Sequence, residues 1–160
     1  IEVIRGVQHK KVVCILDEAH LLEKETLEEF RFLLNYRFDS MSPMAVVLVG
    51  QTELWENKLK LQRYAAIRQR IDMYCTLPHL DRSETEQYIA SHMDYSRCGQ
   101  EIFTTKALDE IHKASAGIPR MINRVCEKAL MYASPNQERL IDDYMIKFVV
   151  EHEMLGMVTS

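Results

Sequence analysis

Two adjacent carboxylates, Asp17 and Glu18, follow directly on an apolar run in "VVCILDEAHLL", residues 12–22. Ending a burial-prone strand in two like charges costs free energy unless those charges face a metal ion or a reacting group. The chemistry these residue types support is phosphoryl transfer. Asp17 would hold Mg²⁺ through water, and Glu18 would orient and polarise the water that attacks a γ-phosphate. The plainer reading has Asp17 capping the next helix and Glu18 solvated at its N-terminus, where the helix dipole favours negative charge.

Three other places offer side chains of complementary type. A second apolar run, "MAVVLVG", leads into Gln51 and Thr52, an amide and a hydroxyl able to bridge water and phosphate, although a polar residue there also serves as a turn. "RYAAIRQRI" carries Arg63, Arg68 and Arg70, either a solvated helical face or the source of an arginine that stabilises transferring phosphoryl charge. In "SAGIPRMINR", Gly117 suits the close of one helix and Pro119 the first turn of the next. Arg120 then lies where backbone N–H groups and the dipole favour an anion, so it is read as a phosphate-sensing side chain against a surface arginine. His20 is read as packing or hydrogen bonding at the start of a helix, or as linking nucleotide state to neighbours.

Positioning these residues takes two kinds of structure. Up to about residue 80, "KVVCIL" and "MAVVLVG" read as strands buried on both faces and "MYCTLP" as a weaker third, with an amphipathic helix between the first two carrying Leu27, Phe30, Leu34 and Phe38. Strand, helix, strand, helix, strand is the α/β pattern, which gathers strand carboxyl ends along one edge, where ligands bind. Beyond "LPHLDRSE" the strands stop. Ser83 with Glu86 suggests a capping box for a helix over about 84–95, and three further helices follow in "FTTKALDEIHKAS", "IPRMINRVCEKALMYA" and "RLIDDYMIKFVVEHE". The expected organisation is an α/β part, 1–80, and a helical bundle, 81–160.

Composition limits the alternatives. The chain has 160 residues, 47% of them hydrophobic, enough for a buried core. The net charge of −4 argues against a strongly basic nucleic-acid module. Residues 1–80 balance 11 basic against 11 acidic side chains, and 81–160 hold 9 and 13. No run of about 18 apolar residues occurs, and the first residues do not read as a signal peptide, so a cytoplasmic chain without membrane contact is expected. Cys14, Cys75, Cys98 and Cys126 lack metal-site spacing and read as reduced structural cysteines.

Together these residues resemble the later part of an AAA+ ATPase, in particular the ExeA-like (general secretion pathway protein A) ATPases and the transposition ATPases of the TniB and TnsC type. "VVCILDEAHLL" is similar to the Walker B strand and "VLVGQTEL" to the sensor 1 segment. "AIRQRIDMYCTLPHLDRSETEQYI" is similar to the arginine-finger helix and lid entry, and "IFTTKALDEIHKASAGIPRMINRVCEKALMYA" to the lid. The resemblance implies a P-loop NTPase-type parallel sheet followed by an all-α lid bundle, with ATP and Mg²⁺ as cofactors. Asp17 is then the Mg²⁺ residue, Glu18 the catalytic base, Gln51 sensor 1 and Arg120 sensor 2. Arg70, with Arg68 as the alternative, is the arginine finger reaching a neighbouring subunit, which implies a ring or helical oligomer.

One departure from the family stands out. The Walker A loop GxxxxGK[ST] is absent: none of Gly6, Gly50, Gly99, Gly117 and Gly156 precedes Lys and then Ser or Thr. The chain therefore reads as a piece beginning after that loop, in the N-terminal part of the sheet. "DEAH" also occurs in DEAH-box helicases, but their Ser-Ala-Thr motif has no counterpart here. Two pathways follow from the resemblance: assembly of a secretion apparatus, or transposition with duplex DNA and a transposase. The end at "EHEMLGMVTS", with no apolar segment following, favours the second. A reading of another class is a non-catalytic scaffold or switch that binds partners without hydrolysis.

Overall fold

The computed structural model describes Ile4 and residues 11–34, 44–96, 101–135 and 139–154. The chain divides into two compact units, residues 1–75 and 76–160.

In the first unit, Val13–Leu16 forms β1 and Ala45–Leu48 forms β2, paired in parallel with Val13 opposite Ala45 and Leu16 opposite Leu48. Such a pair needs a crossover, which contains the helix α1, Lys24–Leu34. The strands are not buried on both faces. Exposure alternates along each, and Val13 and Ile15 are 57% and 66% exposed. A strand buries both faces only when a layer lies on each, and among the described residues one face is covered. Leu48 packs there against a core of Ala19, Leu27, Leu54, Leu59, Tyr64 and Ile67. Leu27 is thus inward as its spacing suggests, whereas the side chain of Leu34 and the whole of Phe38 lie outside the described residues. After β2 come a π-helical turn, Leu54–Leu59, a 3-10 turn, Gln62–Tyr64, and the short helix α2, Ala65–Arg68.

"MYCTLP" is not a strand. Residues 71–80 carry no regular element, with Met73 and Leu77 86% and 88% exposed. A β-prone run becomes a strand only beside another that takes up its N–H and C=O groups, and no described strand does so here.

The described residues of the second unit form helices α3 (Arg82–Tyr95), α4 (Thr105–Ser115), α5 (Pro119–Ala133) and α6 (Asp143–Glu153). Ile111, Ile122, Val125, Ala129 and Ile146, all fully buried, form its centre together with Ile89 and Phe103. A parallel bridge between Phe103 and Ile141 ties the approach to α4 to the approach to α6. The capping box of α3 is made by Asp81 and Glu84 rather than Ser83 and Glu86. Asp81 Oδ1 accepts the Glu84 N–H at 2.8 Å, and Glu84 Oε2 accepts the Asp81 N–H at 2.9 Å. Two overlapping box patterns compete in "DRSETE", and the aspartate starts the helix two residues earlier. Among the described residues no helix is long and apolar enough to cross a membrane.

Gly117 joins α4 to α5 and holds the entry to α3. Ala116 and Gly117 are both left-handed, at φ 49° and 72°, and the Gly117 carbonyl accepts the Leu80 N–H at 2.9 Å. A Cβ on Gly117 would lie 2.0 Å from the Leu80 carbonyl oxygen, which is backbone and cannot swing aside. Gly117→Ala is therefore expected to lower the stability of the helical unit by at least about 2 kcal/mol in urea unfolding. Ala116→Gly, relieving a left-handed alanine, should leave stability unchanged or raise it by up to about 1 kcal/mol. Equal midpoints for Gly117→Ala and the parent would contradict the clasp.

The cysteines carry a second test. Burial pushes the Cys126 thiol up to about 12, while Cys75 is exposed. At pH 8 a thiol reagent should label Cys75 promptly and Cys126 only on unfolding, with burial and a scarce thiolate both protecting Cys126.

Candidate functional site at the strand ends

The β1–β2 ladder continues past the strands. Val49 N–H donates to the Leu16 carbonyl and Ala19 N–H to the Val49 carbonyl, both at 2.8 Å. This clamps the segment after β1 against the segment after β2. It lays the segment carrying Asp17 and Glu18 alongside the segment carrying Gln51, and the two segments touch through His20. Gly50 makes the close approach possible: a Cβ on it would lie 3.1 Å from the His20 nitrogen.

Asp17 is exposed, and its Oδ1 accepts the Glu18 N–H at 2.8 Å, which orients the carboxylate. It does not cap the following 3-10 turn, Ala19–Leu21, whose N-cap residue Glu18 also supplies no side-chain bond. Glu18 has φ 51° and ψ 33°, a left-handed conformation in a residue with a full side chain. That conformation costs about 1–3 kcal/mol and recurs at functional sites. It turns the chain sharply after the strand and leaves the Glu18 carboxylate 61% exposed, with Oε2 3.2 Å from His20 Nδ1. Gln51 N–H also donates to His20 Nδ1, at 3.4 Å.

Sequence reasoning missed the side chain that holds this turn. Lys58, in the π-helical turn, donates from Nζ to the His20 carbonyl and, at 2.7 Å, to the Leu22 carbonyl. Its partners are backbone oxygens, so no pattern of residue types announces them. The π geometry is seen in the Lys60 N–H bond to the Trp55 carbonyl, five residues back; single π turns often lie next to functional sites.

Arg68 Nη1 donates to the Leu59 and Lys60 carbonyls, both at 2.8 Å, and so caps the π-helical turn. Arg70 is exposed in the turn after α2. The Arg63 guanidinium lies over the Tyr64 ring, 5.3 Å from its centre. Arg120, in the second unit, is exposed in the first turn of α5, directly after Pro119.

Among the described residues no three His, Cys, Asp or Glu side chains come together as ligands. Asp17 alone suits Mg²⁺, which keeps several waters and is held by one or two carboxylates plus phosphate oxygens.

A family model described as an AAA domain matches residues 2–57. General secretion pathway protein A of Aeromonas hydrophila is 37% identical over 124 residues, which is 78% of this chain and 22% of that protein. Among solved structures, a variant of RuvB from Thermotoga maritima superposes with a TM-score of 0.68 at 16% identity, over 89% of this chain and 45% of that one. The Thermotoga maritima RuvB Holliday junction branch migration motor gives 0.65 at 19% identity, over 87% and 43%. The fold is thus that of a P-loop-type ATPase with a helical bundle after the sheet. The chain belongs to the AAA+ ATPases and is similar within them to general secretion pathway protein A. It spans about a fifth of that relative's length and under half of RuvB's.

The left-handed Glu18 gives a direct test of the strand-end geometry. Glu18→Gly should raise the stability of the first unit by about 0.5–1 kcal/mol in urea unfolding, since glycine takes this conformation without strain. Glu18→Gln keeps the strain and should leave the midpoint unchanged; a Gly variant less stable than the parent would contradict the conformation.

Proposed function

We propose that the full-length protein to which these residues belong binds ATP with Mg²⁺ and hydrolyses it within an oligomer, driving assembly or remodelling of a partner complex. The observation that carries this reading is the pair Asp17 and Glu18, presented at the carboxyl end of β1 beside Gln51 in an AAA+ fold. Asp17 would hold Mg²⁺ through water. The metal, when bound, neutralises phosphate charge. Glu18 orients the attacking water and accepts its proton, and the Gln51 amide steadies that water near the γ-phosphate. Arg120 senses phosphate at the N-terminus of α5. Arg70, with Arg68 as the alternative, acts on a neighbouring subunit, the role that the resemblance to AAA+ ATPases implies; the Arg68 guanidinium also binds the Leu59 and Lys60 carbonyls of its own chain.

The likeness to a secretion-pathway protein favours secretion-apparatus proteins as partners over duplex DNA and a transposase. The likeness to RuvB supports the fold alone, at 16–19% identity.

Mixing variants tests the oligomer. Arg70→Ala and Glu18→Gln proteins should each be inactive alone and regain turnover when mixed, because one mixed interface pairs an intact Glu18 with an intact Arg70. Failure to complement, with each variant folded and able to bind ATP, would remove the role in trans. Addition of duplex DNA should leave turnover unchanged; a rise would move the partner assignment to DNA. The 160 residues by themselves contain no phosphate-cradling GxxxxGK[ST] loop and should bind ATP weakly without turning it over.

A further inference from the structure

His20 stands between the two functional strand ends, and one ring nitrogen serves both. Its side chain is 13% exposed, with Nδ1 3.2 Å from Glu18 Oε2 and also receiving the Gln51 N–H at 3.4 Å. These two contacts cannot be satisfied together. To accept the Gln51 N–H, Nδ1 must present its lone pair, and that lone pair then faces the Glu18 carboxylate and repels it. To bind Glu18, Nδ1 must carry a proton, and the Gln51 N–H loses its acceptor. A neutral imidazole has one N–H and one lone pair, so the two arrangements are its two tautomers.

The surroundings hold the ring at this choice. The Lys58 ammonium binds the His20 and Leu22 carbonyls, and Gly50 lets the end of β2 lie against the His20 backbone. The Ala19 N–H bond to the Val49 carbonyl fixes the main chain just before the ring. The Gln51 carbonyl accepts the Leu54 N–H at 3.0 Å, so what is left to move is the Gln51 N–H, whose 3.4 Å contact with Nδ1 is long for a hydrogen bond, and the exposed Glu18 carboxylate.

We propose that His20 is a positioning residue that couples Gln51 to Glu18: movement of Gln51 toward bound phosphate releases the Nδ1 lone pair, Nδ1 takes a proton from water while Nε2 gives one up to water, and the resulting Nδ1–H donates to Glu18 and fixes the carboxylate for its water. The proposal rests on the reading of Glu18 as the general base. No bond to substrate is made by His20; it passes the state of one strand end to the other.

The test uses the full-length protein. His20→Ala should lower kcat by about tenfold, with KM for ATP and the urea midpoint nearly unchanged, because only the carboxylate's orientation is lost. His20→Asn places an amide where Nδ1 stands and should restore most of the rate, whereas His20→Gln, whose amide reaches the other ring position, should not. In a Glu18→Gln background His20→Ala should cause no further loss, since both act through one group. An unchanged kcat in His20→Ala, an Asn variant as slow as Ala, or additive losses in the double variant would overturn the proposal. Should His20→Ala fold poorly, nitrogen NMR of the parent decides: Nδ1 should change from bare to protonated when a non-hydrolysable ATP analogue binds, and an unaltered tautomer overturns the proposal. Failure of the underlying reading is seen separately, as Glu18→Gln alone turning over ATP at the parent rate.

Discussion

The candidate site depends on two hydrogen bonds that extend a parallel ladder beyond its strands, from Val49 N–H to the Leu16 carbonyl and from Ala19 N–H to the Val49 carbonyl. Parallel pairing holds two strands in one register, and these bonds carry that register into the chain that follows. The main chain after β1, which carries the carboxylates, and the main chain after β2, which carries the glutamine, are thereby held side by side. The left-handed Glu18 is the cost of turning sharply at that point, and the Lys58 clamp on the His20 and Leu22 carbonyls holds the turn. Strain at one residue is sustained because backbone bonds on either side fix its neighbours.

The helical unit follows a different logic. Its four helices share a core of fully buried aliphatic side chains, and the sharp connection from α4 to α5 is made by two left-handed residues in succession. Gly117 is required there twice over, for its own φ and for the space occupied by the Leu80 carbonyl. Arg120 sits in the first turn of the resulting helix, so the same connection that closes α4 fixes where a phosphate-binding arginine would begin α5.

Much of this was legible in the sequence, and the gaps have physical causes. Helices α3 to α6 announced themselves through period and caps, and the edge carrying Asp17, Glu18 and Gln51 followed from strands ending in polar residues. "MYCTLP" was misread because a β-prone run says nothing about whether a partner strand lies beside it. Burial of both faces of β1 and β2 was misread for the same reason, since a covering layer is a property of neighbours and not of the run itself. The capping box shifted by two residues because "DRSETE" contains two valid patterns. Lys58 and Arg68 were illegible in their actual roles because each binds backbone carbonyls, which every residue type supplies. His20 was visible as a neighbour of the acidic pair, but its double contact emerged only when β2 was laid beside it.

The measurement that bears most directly on the central claim is ATP binding and turnover by the full-length protein, compared with Asp17→Asn and Glu18→Gln under the same conditions. Glu18→Gln should still bind ATP yet lose at least about 99% of its turnover, as expected for removal of a general base, while Asp17→Asn should lose the Mg²⁺ dependence of binding as well. A Glu18→Gln protein that hydrolyses ATP at the parent rate would show that the strand-end carboxylates are not the catalytic centre.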